Sequence, residues 1–306
     1  MRFEEDEKHQ PDPEINVEHE PKFKAEPEPS EPPPPGARRD AYEHMAWKKA
    51  YRANPMPPDL FAHLSYLGGK WNAGKALAEM IEAHRAPGQT YIEPFVGGAN
   101  VLWRISGERI ASDAHELLID FWRAVQGGWY PDPPKPSKAE YDAMSAKYGK
   151  ATDFTDLTIE ARAQIVWTGY AASNRGAWFN GYASSNGGAG TGNFDKQIPA
   201  IEGVEFRHDP YTAHTRRRGC LIYCDPPYRP ASGKKTVRGY DAVTAMHGEF
   251  DHQRFWDWAS RVARNNTVLV SEWTLPDPKY VASKERYIAG IGSVARDEWL
   301  IKVAPA

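Results

Sequence analysis

Only two of the 306 residues are cysteines, Cys220 and Cys224, and they lie four apart in one short apolar run. That spacing along a strand suits core packing rather than a disulfide, so the expected setting is reducing and cytoplasmic. Long hydrophobic runs are also missing: nothing approaches the roughly 18 apolar residues of a membrane-spanning helix. The first residues are acidic where a secretory leader is basic and then apolar, which argues against export. Residues 1–36 are poor in apolar side chains too. They hold eleven acidic residues, four basic ones and nine of the 26 prolines, including Pro32 to Pro35. Their charge of −7, within a net −3, leaves +4 on the other 270 residues. A segment with so little to bury cannot offset its ordering entropy and reads as a disordered tail. It is either a competitor of a polyanion for the basic body or a solvated linker. Residues 40–54 carry a loose helical apolar face stopped by Pro55 and Pro57. Residues 1–60 are therefore assigned to a tail plus a short helix.

What the chain does have is 41% hydrophobic residues, enough for a full core. Its chemistry is concentrated in one stretch, Cys220-Leu-Ile-Tyr-Cys-Asp-Pro-Pro-Tyr228. Leu221, Ile222 and Tyr223 predict a buried strand halted by Pro226 and Pro227, which puts Asp225 at a strand's carboxyl end. In an open α/β sheet that edge is where ligands bind. Two prolines donate no N–H, so their carbonyls remain acceptors. A carboxylate and a proline carbonyl can together accept both hydrogens of a planar amino group, and Tyr228 offers a ring for a heterocycle to stack on. Asp-Pro and Pro-Pro are also ordinary turn dipeptides, so the stretch alone does not separate a pocket from a bend.

The body begins near Phe61. Tyr66-Leu-Gly-Gly-Lys70 precedes a helical pattern over Ala76, Leu77, Met80, Ile81 and His84, closed by Pro87-Gly88. Gly69 to Lys75 nearly spells a phosphate loop, but Ala76 stands where a Ser or Thr should hold magnesium, and no strand precedes it. A strand is predicted over Thr90 to Phe95, followed by Val96-Gly97-Gly98-Ala99 and a helix starting at Val101 and Leu102. Arg109 to Asp113 forms a second short strand. Asp113 then lies at the tip of the neighbouring strand, where doubly wound folds grip a ribose. It is equally placed to cap a helix over Leu117 to Val125.

From Gln126 to about Ile201 the composition changes, with Gly127-Gly128-Trp129, a proline-rich link, a helix around Tyr141 to Lys147, and a helix or strand over Ile159 to Tyr170. The run Asn174-Arg175-Gly176-Ala177-Trp178-Phe179-Asn180-Gly181-Tyr182 combines amides, a guanidinium and aromatic faces. It reads either as a nucleic-acid contact loop or as a packed hairpin with its own aromatic cluster. Strands are predicted at Val204 to Asp209, Thr267 to Trp273 and Glu298 to Val303, and a helix at Phe250 to Val262. Arg216-Arg217-Arg218 suits phosphates or a solvated turn. The loop after Tyr228 carries Arg229, Lys234, Lys235 and Arg238. His247 and His252 near Asp251 read as surface or capping residues, and no metal is expected.

The ordered set Tyr-Leu-Gly-Gly-Lys (66–70), Glu-Pro-Phe-Val-Gly-Gly-Ala (93–99), Ser-Asp (112–113) and Cys-Asp-Pro-Pro-Tyr (224–228) resembles the Dam-like class of adenine-specific DNA methyltransferases, especially phage and prophage versions. The resemblance covers about residues 61–306. It implies an α/β fold, a Rossmann-like S-adenosylmethionine-dependent methyltransferase sheet. The catalytic domain would span 61–125 and 202–306, with an inserted target-recognition region at 126–201. By position, Tyr66, Lys70, Glu93, Phe95, Gly97, Asp113 and Asp225 would contact the cofactor. Asp225, Pro226, Pro227 and Tyr228 would be catalytic. Asn174, Arg175, Trp178, Lys234, Lys235 and Arg238 are the candidate contacts to double-stranded DNA. One departure is Ala99, where the family often has glycine. An amino-methyltransferase for cytosine or RNA, a DNA-binding protein without catalysis, and a triphosphatase are the rival expectations.

Overall fold

Four short apolar runs in the sequence become the middle of a sheet. The computed structural model describes residues 64–132, 136–184, 194–229, 249–289 and 296–306. The tail of residues 1–60, Lys234, Lys235, Arg238 and His247 lie outside the described residues. Among those described, seven strands form one sheet: β1 (Tyr91–Glu93), β2 (Arg109–Asp113), β3 (Glu205–His208), β4 (Leu221–Cys224), β5 (Thr267–Glu272), β6 (Val281–Ala289) and β7 (Arg296–Val303). Their spatial order is β3-β2-β1-β4-β5-β7-β6. The first five are parallel, whereas β7 runs antiparallel to both β5 and β6.

Parallel strands covered on both faces need apolar residues at every position, and β4 meets that need. Leu221 and Tyr223 enter one buried cluster with Tyr91, Ala111 and Leu269. Ile222 and Cys224 enter the other with Ile92, Ile110, Val268 and Val270. Helix α1 (Gly74–Ala83) and helix α2 (Glu116–Gln126) contribute Leu77, Ile81, Leu117, Phe121 and Trp122 to the first cluster. The second is covered by the last helix, α6 (His252–Val262), through Phe255, Trp256 and Trp258.

Between β2 and β3 lie α3 (Lys138–Tyr148), α4 (Ile159–Val166) and α5 (Phe194–Ala200). Helix α3 starts with a capping box, Ser137 and Glu140 bonding each other's backbone. Helix α4 runs into a single π turn over Trp167–Ala171. Among the described residues, this inserted region shares the core of the sheet: Val166, Trp167 and Tyr170 are buried in the same cluster as Tyr91 and Leu221. Arg162 on α4 also pairs with Asp120 (2.7 Å) and Glu116 (3.2 Å) on α2.

Two local expectations are corrected and one strand is added. The helix expected from Val101 is only one 3-10 turn, Leu102–Arg104, because the backbone turns extended at Ile105 and left-handed at Gly107. Helix α6 begins at His252, with Asp251 accepting the Arg254 N–H as its cap, so Phe250 precedes the helix. Strand β6 has no counterpart in the sequence reading. It lies at the sheet edge, mostly exposed and rich in charge, and has no apolar run to betray it.

Candidate active site

The strand order reverses between β1 and β4, so the loops leaving these two strands diverge and open a crevice at their carboxyl ends. Glu93 closes β1, Asp113 closes β2, Asp225 follows β4 and Glu272 closes β5. The sheet thus gathers four acids along one edge.

Asp113 is held from both sides. The Gly97 N–H donates to its Oδ2 (3.1 Å) and the His115 N–H to its Oδ1 (3.0 Å). The residue at the N-terminal cap of α2 is therefore His115, and Asp113 instead ties the glycine loop to the start of that helix. Burial raises its pKa to about 6 despite these N–H donors. Glu93 is buried and accepts the Tyr91 hydroxyl at 2.7 Å. Burial, with Asp225 and Asp113 adding to it against that hydrogen bond, raises its pKa to about 8.

The glycine loop is shaped by a ring. Gly97 has φ +47, and a Cβ there would lie 2.9 Å from the Tyr66 ring. Tyr66 is in turn set by Gly176, at φ +62, where a Cβ would come within 2.6 Å of the Ser65 backbone. The Leu67 N–H donates to the Gly176 carbonyl at 2.8 Å, so the inserted region grips the N-terminal segment through backbone. Ala99 is fully buried at φ +53, a left-handed conformation that costs an alanine about 1–2 kcal/mol and a glycine far less. The sequence departure at this position is therefore a strained one.

Lys70 reaches the opposite wall. Its Nζ bonds Asp225 Oδ1 at 2.8 Å, lies 3.5 Å from Glu298 Oε2, and sits 4.6 Å from the centroid of the Tyr228 ring. Burial pushes the ammonium pKa down, but Asp225 and Glu298 outweigh it, and the net shift is upward. Burial likewise pushes Asp225 up, with Lys70 opposing. Tyr228 donates its hydroxyl to Glu298 Oε2 (2.8 Å) and packs its ring 5.2 Å from that of Trp273. Glu272 accepts the Trp273 N–H at 2.9 Å and has a pKa raised by burial to about 7.

Residues 66–157 match a family model described as the D12 class N6 adenine-specific DNA methyltransferase. The chain carries an adenine-specific DNA methyltransferase domain of that class. Its activity is adenine methylation of DNA, and its substrate is DNA. No curated protein matches the chain. Among the described residues, no helix is long and apolar enough to cross a membrane, and no group of three or more His, Cys, Asp or Glu could hold a metal ion.

The fold brings Tyr66, Lys70, Glu93, Gly97, Asp113, Asp225 and Tyr228 around one crevice. Phe95 points elsewhere in part: its ring packs with Tyr211, Phe250 and Phe255 beneath the loop. Asn174 and Arg175 are exposed, and Arg175 adopts φ +60. Trp178 differs from the expected stacking face. It is 4% exposed and wedged against Tyr170, Phe179 and His115, so the 174–182 run is a packed hairpin closed by the Ser173–Tyr182 bridge. Glu298, Tyr287, Ser271 and Glu272 were not singled out as site residues from the sequence. Each sits on a strand whose contribution appears only when the sheet order is known.

The acids and loop fit the expected cofactor. Glu93 is a buried and Asp113 a half-buried carboxylate, each with its pKa raised by desolvation, and among the described residues the Oδ1 of Asn100, whose amide nitrogen lies beside Gly69 and Gly98, is buried without a partner. A ligand bringing a positive charge, ribose hydroxyls and amino groups supplies what these groups lack.

Proposed function

We propose that this site transfers a methyl group from S-adenosylmethionine to the 6-amino group of an adenine turned out of double-stranded DNA. The observation that carries the reading is the meeting of Asp225 and Tyr228 with Glu93 and Asp113 at the β1/β4 reversal. S-adenosylmethionine, when bound, supplies a methyl group on a sulfonium that is reactive without a metal. Tyr66, Lys70, Glu93, Phe95, Gly97 and Asp113 would hold it. The two Asp113 oxygens each accept one backbone N–H and keep lone pairs for ribose hydroxyls.

Asp225 and the carbonyl of Pro226 accept the two amine hydrogens of the adenine, with Pro227 fixing the turn, and leave the nitrogen lone pair toward the methyl carbon. The Asp225 carboxylate stabilises the positive charge that develops on that nitrogen, then receives its proton. Turning the base out costs a few kcal/mol. Stacking on Tyr228 returns roughly 1–3 kcal/mol of it. Asn174 and Arg175, on the exposed turn of the inserted region, contact DNA, as do Lys234, Lys235 and Arg238 from the basic sequence that follows Tyr228. Residues 61–125 and 202–306 act as the catalytic part and 126–201 as the part that selects the target.

The test is long-read modification mapping of DNA from cells expressing the protein, with the DNA also digested to nucleosides. N6-methyladenine at one recurring sequence is expected. Its absence from the digest overturns the proposal.

A further inference from the structure

We infer that Glu298 is a positioning residue for methyl transfer, acting through Tyr228 and Lys70; the inference rests on the function proposed above. Glu298 comes from antiparallel β7 and is buried. One oxygen, Oε2, collects the hydroxyls of Tyr228 (2.8 Å) and Tyr287 (2.7 Å) and faces Lys70 Nζ at 3.5 Å. The tyrosine protons have one consistent arrangement. A carboxylate only accepts, so Tyr287 gives it its single proton. The Tyr287 oxygen, 2.9 Å from Ser271 Oγ, then accepts from Ser271. Ser271 in turn accepts from the Tyr223 hydroxyl at 2.9 Å.

The row Tyr223, Ser271, Tyr287, Glu298 thus runs from β4 through β5 and β6 to β7 with every hydroxyl oriented. Its acceptor end pins Tyr228 by its hydroxyl, so the ring that stacks the base cannot swing without breaking a charge-assisted bond. The same carboxylate shares Lys70 with Asp225. Lys70 therefore does not neutralise Asp225 alone, and Asp225 keeps charge for the amine that it binds. Glu298 touches neither base nor cofactor in this scheme; it fixes the two groups that do.

Four substitutions, alone and in pairs, test this. Glu298→Gln keeps an oxygen that accepts both hydroxyls and removes the charge, while Glu298→Ala removes both. Glu298→Gln is expected to lower kcat about tenfold, the size of one charge-assisted hydrogen bond, with the KM for S-adenosylmethionine held within about twofold. Glu298→Ala is expected to lower kcat further. Combined with Tyr228→Phe, the Glu298→Gln loss is expected not to add in full, since one change weakens and the other removes the same Tyr228–Glu298 bond. Additive losses, or a raised KM at constant kcat, overturn the inference. If the Glu298 variants do not fold, Tyr287→Phe, which leaves the charge in place, carries the same cycle with Tyr228→Phe: a several-fold fall in kcat that is not additive supports the inference, and an unchanged kcat overturns it. A wild-type protein that transfers no methyl to adenine overturns the proposed function and this inference with it; an active wild type with an additive cycle overturns this inference alone.

Discussion

Asp225 is bonded to Lys70 at 2.8 Å and sits on a rigid proline turn, so its substitution separates chemistry from folding. Asp225→Asn keeps an acceptor oxygen and a similar volume. It should lower methyl incorporation about a hundredfold or more while the circular dichroism spectrum is retained. Asp225→Ala should abolish incorporation, and normal turnover by either variant would remove Asp225 from the mechanism. Glu93 makes a prediction about pH. Its folded pKa is about 8, above the ordinary carboxylate value of 4.5. Between those values the folded state keeps a proton that the unfolded state has released, so stability falls as pH rises. The contribution is complete below about pH 4.5 and lost above about pH 8, and Asp113 and Glu272 act in the same direction. Urea midpoints of the unliganded protein should decline across that window, and Glu93→Gln should flatten the decline. A midpoint that rises with pH in the same window contradicts the burial of Glu93.

At the scale of elements, the grip of the inserted region on the N-terminal segment depends on one backbone position. Gly176→Ala sets a Cβ at 2.6 Å from the Ser65 backbone and forces an alanine to φ +62. Backbone cannot yield as a side-chain tip can, so a loss of about 2 kcal/mol or more is expected in thermal unfolding, with weaker S-adenosylmethionine binding by calorimetry because Tyr66 moves. Unchanged binding would detach Tyr66 from the cofactor. Elements of this kind differ in how far the sequence exposes them. The β1 and β4 turns were legible because Gly97, Pro226 and Pro227 declare a local geometry whatever surrounds them. Asp113 was legible by its position after a strand, but not its two N–H donors. Strand β6 was hidden because an edge strand needs no apolar alternation, and Glu298 because an acid in a strand reads as a solvent-facing residue until its cross-sheet partners are known. Trp178 went the other way: a tryptophan among Asn, Arg and Gly has the composition of a contact loop, and only tertiary packing shows that it fills core.

For the whole molecule, the shared buried cluster joins the inserted helices to the sheet. A region whose described apolar residues pack into the sheet's own core is expected to melt with it, so calorimetry should give one transition whose van't Hoff and calorimetric enthalpies agree. Two separated transitions would show that residues 126–201 fold independently. Saturation with S-adenosylmethionine at about a hundred times its Kd should raise the stability of that one transition by about 2.7 kcal/mol.

The two cysteines have a practical consequence. Both are buried free thiols, and burial raises the pKa of each. The folded protein should resist maleimide and bind two equivalents only in denaturant. A single cysteine installed at Asn174 would then take a fluorophore alone, and its signal on adding duplex DNA would report whether that turn meets the nucleic acid.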